Sequence, residues 1–387
     1  MKHVAVIPLR AGSKGIKNKN KLKFAGRPLF SWVLGEAIFS NLNTIYVCTD
    51  DEEIKQYALD QYQWTGKVKV LDRSEESASD TASTEFALLE MAEKINYDFD
   101  TLTLLQATSP LTDRENINSV LGKVASGMFN SALSVVRTHR FIWSEDGDSL
   151  NYDYLNRPRR QDFNGMLMEN GAVYTCSKDT FLETKNRLGG KIGIHEMPED
   201  TLVELDERHD LFTLEQLIIN RLKKQKGAGK EILAAVFDVD GIFTDGKVGF
   251  SKEGELFKTF SLIDGMGLEI LRNNGVLPIV MTSENSSLVE QRMKKLKIDH
   301  FYPGVKDKYS YLEDVLKKMG LERREIAYIG DDINDLANIC SCGWGICPAN
   351  AVKEVALNAD VVLNAHSGKE VIRNCVEFIV KYNNRFK

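Results

Sequence analysis

The apolar run Ile232-Leu233-Ala234-Ala235-Val236 leads into Phe237-Asp238-Val239-Asp240-Gly241, and this junction constrains the fold more than any other feature. An unbroken apolar run suits a strand buried on both faces, as in a parallel sheet covered by helices. Two carboxylates then fall at the strand's C-terminal end, the edge where open α/β sheets hold ligands. That placement suits phosphoryl transfer. One carboxylate can attack phosphorus, the next can protonate the leaving oxygen, and both lie close enough to share a Mg²⁺.

A chain of 387 residues is too long for one ordinary core, so two domains are expected. Charged residues at 27% and hydrophobic residues at 43% fit a globular protein in water. A net charge of −6 argues against a nucleic-acid binder. The chain opens directly on the strand-like Val4-Ala5-Val6-Ile7-Pro8-Leu9, so no signal peptide is expected. No apolar run approaches the ~20 residues of a membrane span. Six cysteines in so long a chain do not suggest a disulfide scaffold, and a cytoplasmic protein is expected.

The basic, glycine-containing stretch Lys223–Lys230 reads as a linker, which predicts domains over 1–226 and 227–387. Before it, strands are predicted at 4–9, 44–49, 68–71, 101–106 and 131–137, and helices at 29–40, 51–62, 81–95 and 113–126. After it, strands are predicted at 232–238, 276–282, 326–330 and 359–363, with helices at 265–273, 286–297, 308–319 and 368–382. Both halves therefore read as α/β layers on mainly parallel sheets.

The first strand is followed by Arg10-Ala11-Gly12-Ser13-Lys14-Gly15-Ile16-Lys17-Asn18-Lys19-Asn20. Glycines let backbone N–H groups approach phosphates, and Arg10, Lys14 and Lys19 bring cationic charge to a polyphosphate. A solvated basic loop would share that composition. Further blocks follow in order: Arg73 before Ala78-Ser79-Asp80-Thr81-Ala82-Ser83, then Gln106-Ala107-Thr108-Ser109-Pro110-Leu111, Arg157-Pro158-Arg159-Arg160-Gln161-Asp162, Glu169-Asn170-Gly171, and Glu204-Leu205-Asp206. In that order and spacing, residues 3–220 resemble the N-acylneuraminate cytidylyltransferases.

The resemblance implies a glycosyltransferase-A-like, Rossmann-type domain that joins a sugar acid to the α-phosphate of CTP. It places Arg10 and Lys19 in catalysis, and Ser13, Lys14, Asn20, Arg73, Ala82 and Thr84 around the nucleotide. Thr84 stands where a serine is common. Gln106 and Asn170 would contact the sugar acid, and Glu204 and Asp206 would hold Mg²⁺. Glu204 stands where the family often has aspartate. Period-2 spacing would set Glu204 and Asp206 on one face of a strand.

After the linker, Phe237–Gly246 resembles the sugar-acid phosphatases of the haloacid dehalogenase type. Three more blocks fall at predicted strand ends: Met281-Thr282-Ser283-Glu284, Gly304-Val305-Lys306-Asp307-Lys308 and Gly330-Asp331-Asp332-Ile333-Asn334-Asp335. The resemblance makes Asp238 the nucleophile, Asp240 the acid and base, and Thr282 and Lys308 phosphoryl contacts, with Lys306 as the rival lysine. Asp238, Asp240 and Asp331 would hold Mg²⁺, supported by Asp332 and Asp335. The gap from Asp240 to Thr282 leaves room for a hairpin and a helix but no large cap; a capless site is open to solvent and often completed by a neighbouring subunit. Ser283, Glu284, Arg292 and Lys295 resemble the substrate-contacting positions of capless nonulosonate 9-phosphate phosphatases.

Together the resemblances imply a bifunctional enzyme that dephosphorylates a nonulosonate 9-phosphate and activates the free nonulosonate with CTP. A homo-oligomer, with a tetramer favoured, would act on small molecules without a nucleic-acid or membrane partner. Two alternatives stand beside this. The second domain could be a non-catalytic assembly module, or both steps could act on the octulosonate series. The sugar acid could be KDN, Neu5Ac or a relative.

Overall fold

Strand His3–Leu9 (β1) is apolar from Val4 onward because both its faces are covered. Ala5, Ile7 and Leu9 pack with Phe30, Val33, Leu34 and Ala37 of helix Leu29–Phe39. The alternate residues Val4 and Val6 pack with Leu88, Met91 and Ala92 of helix Thr84–Lys94. Successive side chains of a strand point to opposite faces, so an unbroken apolar run is what a two-sided core requires.

The computed structural model describes residues 1–12, 15–227 and 229–386. It divides into two compact units: Met1–Lys23 with Pro28–Leu217, and Phe24–Arg27 with Ile218–Lys387. Ser13 and Lys14 lie outside the described residues. Main-sheet strands are numbered in chain order.

The first unit holds β1, Thr44–Thr49 (β2), Val68–Asp72 (β3), Thr101–Leu105 (β4), Ser131–Thr138 (β5), Met166–Ser177 (β6) and Ile192–Met197 (β7). They form one sheet in the order β3-β2-β1-β4-β6-β5-β7. β1, β2, β3 and β4 are parallel, whereas β6 runs antiparallel to both β4 and β5. Of these, β6 and β7 have no counterpart among the strands predicted from sequence. The first half of β6 is exposed at Met166, Leu167 and Met168, so neither a buried run nor a clean alternation marks it.

The second unit holds Ala234–Phe237 (β8), Leu277–Met281 (β9), His300–Tyr302 (β10), Ile326–Ile329 (β11), Trp344–Cys347 (β12) and Val361–Val362 (β13). All pair in parallel in the order β10-β9-β8-β11-β12-β13, with β8 inside the sheet. Ala235 and Phe237 of β8 share a core with Leu268 and Leu271 of helix Leu262–Asn273 and with Val376 and Ile379 of helix Val371–Asn383. A hairpin, Gly249–Ser251 with Gly254–Phe257, stands between β8 and β9.

Helix Asp210–Gln225 extends into the basic stretch read as a linker, so Lys223 and Lys224 form its last turn. Cations there face the negative end of the helix dipole, which favours helix over coil. Among the described residues no helix is long and apolar enough to cross a membrane.

Candidate active sites

The end of β1 delivers Arg10 to a cavity that Lys19, Asn20, Arg73, Ala82, Thr84 and Gln106 also line. Residues far apart in sequence thus converge where the parallel strands end. Each cation already has polar partners. Arg10 donates to Asp80 at 2.8 Å. Arg73 donates to the Ser77 hydroxyl at 3.2 Å and to its carbonyl. Lys19, on the turn Lys19–Lys21, donates to the Leu205 carbonyl at 2.7 Å and pairs with Asp206 at 3.1 Å. Asn20 donates to the Arg10 carbonyl at 3.2 Å, which ties the two ends of the loop together. Arg10, Lys19 and Arg73 on one cavity wall suit an anionic, polyphosphate-bearing ligand.

Glu204 and Asp206 occupy a loop between the turn Glu199–Leu202 and helix Asp210–Gln225, not the strand that their spacing predicted. They line a second cavity with Glu199 and Asp210. Burial pushes the Glu204 carboxyl up to about 7, Asp206 adds to the rise, and Lys19 opposes it. Gly171 has φ +66°, and a Cβ there would stand 2.2 Å from Glu204 Oε1, so only glycine leaves that carboxylate its place. A carboxylate held back from ionising beside a second one is a setting that a divalent cation relieves.

Asn170, expected at the sugar acid, is 1% exposed and absent from the cavity wall. Its Oδ1 accepts from Ser134 at 2.7 Å and its Nδ2 donates to Thr201 at 3.1 Å. The side chain therefore binds β6 to β5 and to the turn after β7.

In the second unit the parallel strands end in carboxylates. Asp238 continues past β8 by donating its N–H to the Ile329 carbonyl at 2.9 Å. Lys308, at the start of helix Lys308–Met319, is 1% exposed and stands 2.8 Å from both Asp238 and Asp335. Lys306 is exposed. Tyr328 of β11 donates to Asp335 at 2.8 Å. Carboxylate oxygens of Asp238, Asp331 and Asp335 all lie within 4.8 Å of one another.

Burial drives the Asp238 carboxyl well above its ordinary range, Asp335 adds to this, and Lys308 opposes it. Burial also pushes Asp331 up to about 7, with Asp335 and Asp332 contributing. Asp331 Oδ1 is buried without a hydrogen-bond partner among the described residues. Such an orphaned oxygen within an all-oxygen set fits a hard divalent cation. Gly241 has φ +84°, and a Cβ there would stand 1.9 Å from Asp331 Oδ2, so the glycine of the DxDG motif makes room for this carboxylate.

Asp240 is engaged elsewhere. Both its oxygens stand 2.9 Å from Lys258, and one accepts from Thr244 at 3.2 Å. Lys258 was not legible as a site residue, since a lone lysine after a hairpin carries no motif. Asp335, expected only in support, is a full member of the carboxylate cluster. Thr282 is buried at the end of β9, and its hydroxyl accepts from Glu284 N–H at 3.3 Å. Ser283 accepts from Asn334 at 3.2 Å, beside the Asp331 loop.

Arg292 and Lys295 line a different cavity, with Leu262, Met266 and Arg272, whose wall includes none of Asp238, Asp331 and Asp335. Arg292 donates to the Ser261 carbonyl at 3.0 Å and lies 5.5 Å from the Phe260 ring centre. Glu284 is exposed. The wall that holds Arg292 and Lys295, both expected at the substrate, therefore does not include Asp238.

A cation-lined cavity on one α/β sheet and an aspartate–lysine cluster at the end of another define a nucleotidyltransferase joined to a haloacid dehalogenase-type hydrolase. Comparison with known proteins agrees with both. Residues 4–226 match the family profile described as cytidylyltransferase, and residues 281–372 match that of the haloacid dehalogenase-like hydrolases. The chain belongs to the cytidylyltransferase family.

It is 30% identical over 393 residues to N-acylneuraminate cytidylyltransferase A of Danio rerio, covering 99% of this chain and 90% of that protein. Over 152 residues it is 32% identical to the 3-deoxy-D-manno-octulosonate 8-phosphate phosphatase of Haemophilus influenzae, covering 39% of this chain and 84% of that protein. A crystal structure of the corresponding Moraxella catarrhalis phosphatase, with magnesium, phosphate and KDO, is 34% identical, covers 43% of this chain and 94% of that one, and has a TM-score of 0.39.

Proposed function

We propose that the chain is a bifunctional enzyme: its first unit transfers CMP from CTP to a nonulosonate, and its second unit dephosphorylates a nonulosonate 9-phosphate. The observation that carries the second activity is the completeness of the Asp238, Lys308, Asp331 and Asp335 cluster. A module kept only for assembly has no need of buried carboxylates around a buried lysine, an arrangement that works against stability.

In the phosphatase the Asp238 carboxylate attacks phosphorus, the P–O bond to the sugar breaks, and Asp240 protonates the departing oxygen. Water then attacks the aspartyl-phosphate, Asp240 takes its proton, and phosphate leaves. Lys258 pairs with Asp240 at 2.9 Å and fixes where its side chain stands. Thr282 and Lys308 hold the phosphoryl oxygens. Asp238 and Asp331 would hold Mg²⁺, which offsets the negative charge of the phosphoryl group when bound.

In the transferase the anomeric hydroxyl attacks the α-phosphorus of CTP, the α–β P–O bond breaks, and pyrophosphate leaves. Arg10 and Lys19 neutralise the charge that builds there, and Ser13 and Lys14, between them in sequence, would add to the nucleotide contacts. Gln106 faces the sugar acid. Glu204 and Asp206 would hold Mg²⁺ on the phosphates. The working enzyme is a cytoplasmic homo-oligomer, a tetramer in this reading. Exposed Phe250, Leu256, Leu262 and Met266 on the second unit support association, which would also bring Arg292, Lys295 and Glu284 to a neighbour's substrate.

Similarity of the second unit to an octulosonate 8-phosphate phosphatase favours a second reading, in which that unit takes the eight-carbon acid. One experiment separates the readings. Phosphate release and CMP-sugar formation are measured with nonulosonate and octulosonate substrates, with and without Mg²⁺. Preference for nine-carbon acids in both assays supports the proposal, and preference for eight-carbon acids replaces it. Absence of phosphate release from either series would leave the second unit an assembly module.

A further inference from the structure

We propose that Arg27, far from the phosphatase motifs in sequence, is a positioning residue of the phosphatase centre, acting on Lys308 through the residues on either side of it. The inference rests on the phosphatase reading above. Arg27 belongs to the second unit although it lies between segments of the first. Its guanidinium makes a fork onto Asp307, with Nε 2.8 Å from Oδ1 and Nη2 3.0 Å from Oδ2. Nη2 also donates to the Ser310 hydroxyl at 2.8 Å. Arg27 is 3% exposed and Asp307 2%, so the pair is shielded from water.

The same guanidinium lies 4.7 Å from the centre of the Tyr309 ring. Arg323 stands 4.1 Å from that ring and donates to the Tyr309 carbonyl at 2.7 Å. Lys308, between Asp307 and Tyr309, is thus bracketed by two residues that Arg27 holds. Asp307 is also the N-cap of the helix that begins with Lys308. Lys308 must place one ammonium 2.8 Å from both Asp238 and Asp335, and its long stem has many rotamers. A fixed helix start removes the backbone part of that freedom.

The segment touches the other side of the centre too. Gly26 has φ +82°, and a Cβ there would stand 1.9 Å from the Ile333 carbonyl oxygen. Ile333 lies in the loop that joins Asp331 to Asp335. Residues 26 and 27 therefore abut the lysine-bearing helix and the carboxylate-bearing loop together.

The test uses the full-length chain. Arg27→Lys keeps the charge but loses the fork. Asp307→Asn keeps an N-capping side chain but removes the ion pair. Phosphate release from a nonulosonate 9-phosphate and an octulosonate 8-phosphate is measured at least 15 °C below each protein's unfolding midpoint. Each variant is expected to lose about tenfold or more in kcat with KM changed less than about threefold, since misplacement of a catalytic group acts on turnover. A residue that only adds stability would leave kcat intact at that temperature. Folded variants with wild-type kcat overturn the inference alone, and failure of both variants to fold replaces it with a purely structural role. Wild type that releases no phosphate overturns the phosphatase reading and this inference with it.

Discussion

Asp331→Asn should make the metal-free protein more stable at pH 8 while removing phosphate release. In the unfolded chain Asp331 ionises near its ordinary 3.8, but in the folded, metal-free protein only near about 7. Burial is the main cause and Asp335 the next. The unfolded state therefore loses the proton first as pH rises. The stability penalty grows from about pH 4 to about pH 7 and is constant above that. At about 1.36 kcal/mol per tenfold change in proton affinity, the rise corresponds to roughly 4 kcal/mol. Residual solvent access at this half-buried group reduces it to about 2 kcal/mol. For a unit of this size that is ~4–8 °C in unfolding midpoint.

The assay is thermal unfolding of wild type and Asp331→Asn in excess chelator at pH 8 and pH 5, repeated with Mg²⁺. The variant should unfold higher at pH 8, lose more than half of that advantage at pH 5, and gain less than wild type from Mg²⁺. If Asn at 331 lowers the midpoint at pH 8 in chelator, the carboxylate is not held under strain and the argument fails.

Lys19→Ala should lower kcat for CMP-sugar formation ~10²-fold or more, because one preorganised charge contact in the transition state is worth a few kcal/mol; near-normal turnover removes Lys19 from catalysis. Asp238→Asn should abolish phosphate release and leave most cytidylyl transfer, whose residues lie in the other unit; retained phosphate release would exclude the aspartyl-phosphate. Gly26→Ala should lower the unfolding midpoint by several degrees, since it strains the backbone by about 1 kcal/mol or more and drives a methyl into Ile333; an unchanged midpoint would show that the segment yields.

Much of the sheet framework was legible because buried strands announce themselves. β1, β2, β4 and β8 are largely buried on both faces, and the ends of β1, β4 and β8 carry Arg10, Gln106 and Asp238. β6 was hidden because half of it is exposed and a glycine interrupts it. Helix Asp210–Gln225 was hidden by its cationic last turn, which resembles a linker in composition. Glu204 and Asp206 show why period-2 spacing alone does not make a strand. Asn170 shows the limit of motif reading, because a polar residue in a recognisable block can serve packing. Lys258 and Arg27 had no local signal at all, since their partners Asp240 and Asp307 are fixed only by the tertiary fold.

The placement of Phe24–Arg27 in the second unit also sets a timetable for synthesis. These residues leave the ribosome early, and Arg27 must wait for Asp307, 280 positions later. At ~5–20 residues per second that wait is roughly 15–55 s. During it the flanking residues can complete the first sheet, while the Arg27–Asp307 fork has still to form. A nascent chain halted before residue 307 would therefore lack the fork that fixes Arg27, a recognisable mark of incomplete synthesis for a chaperone or protease.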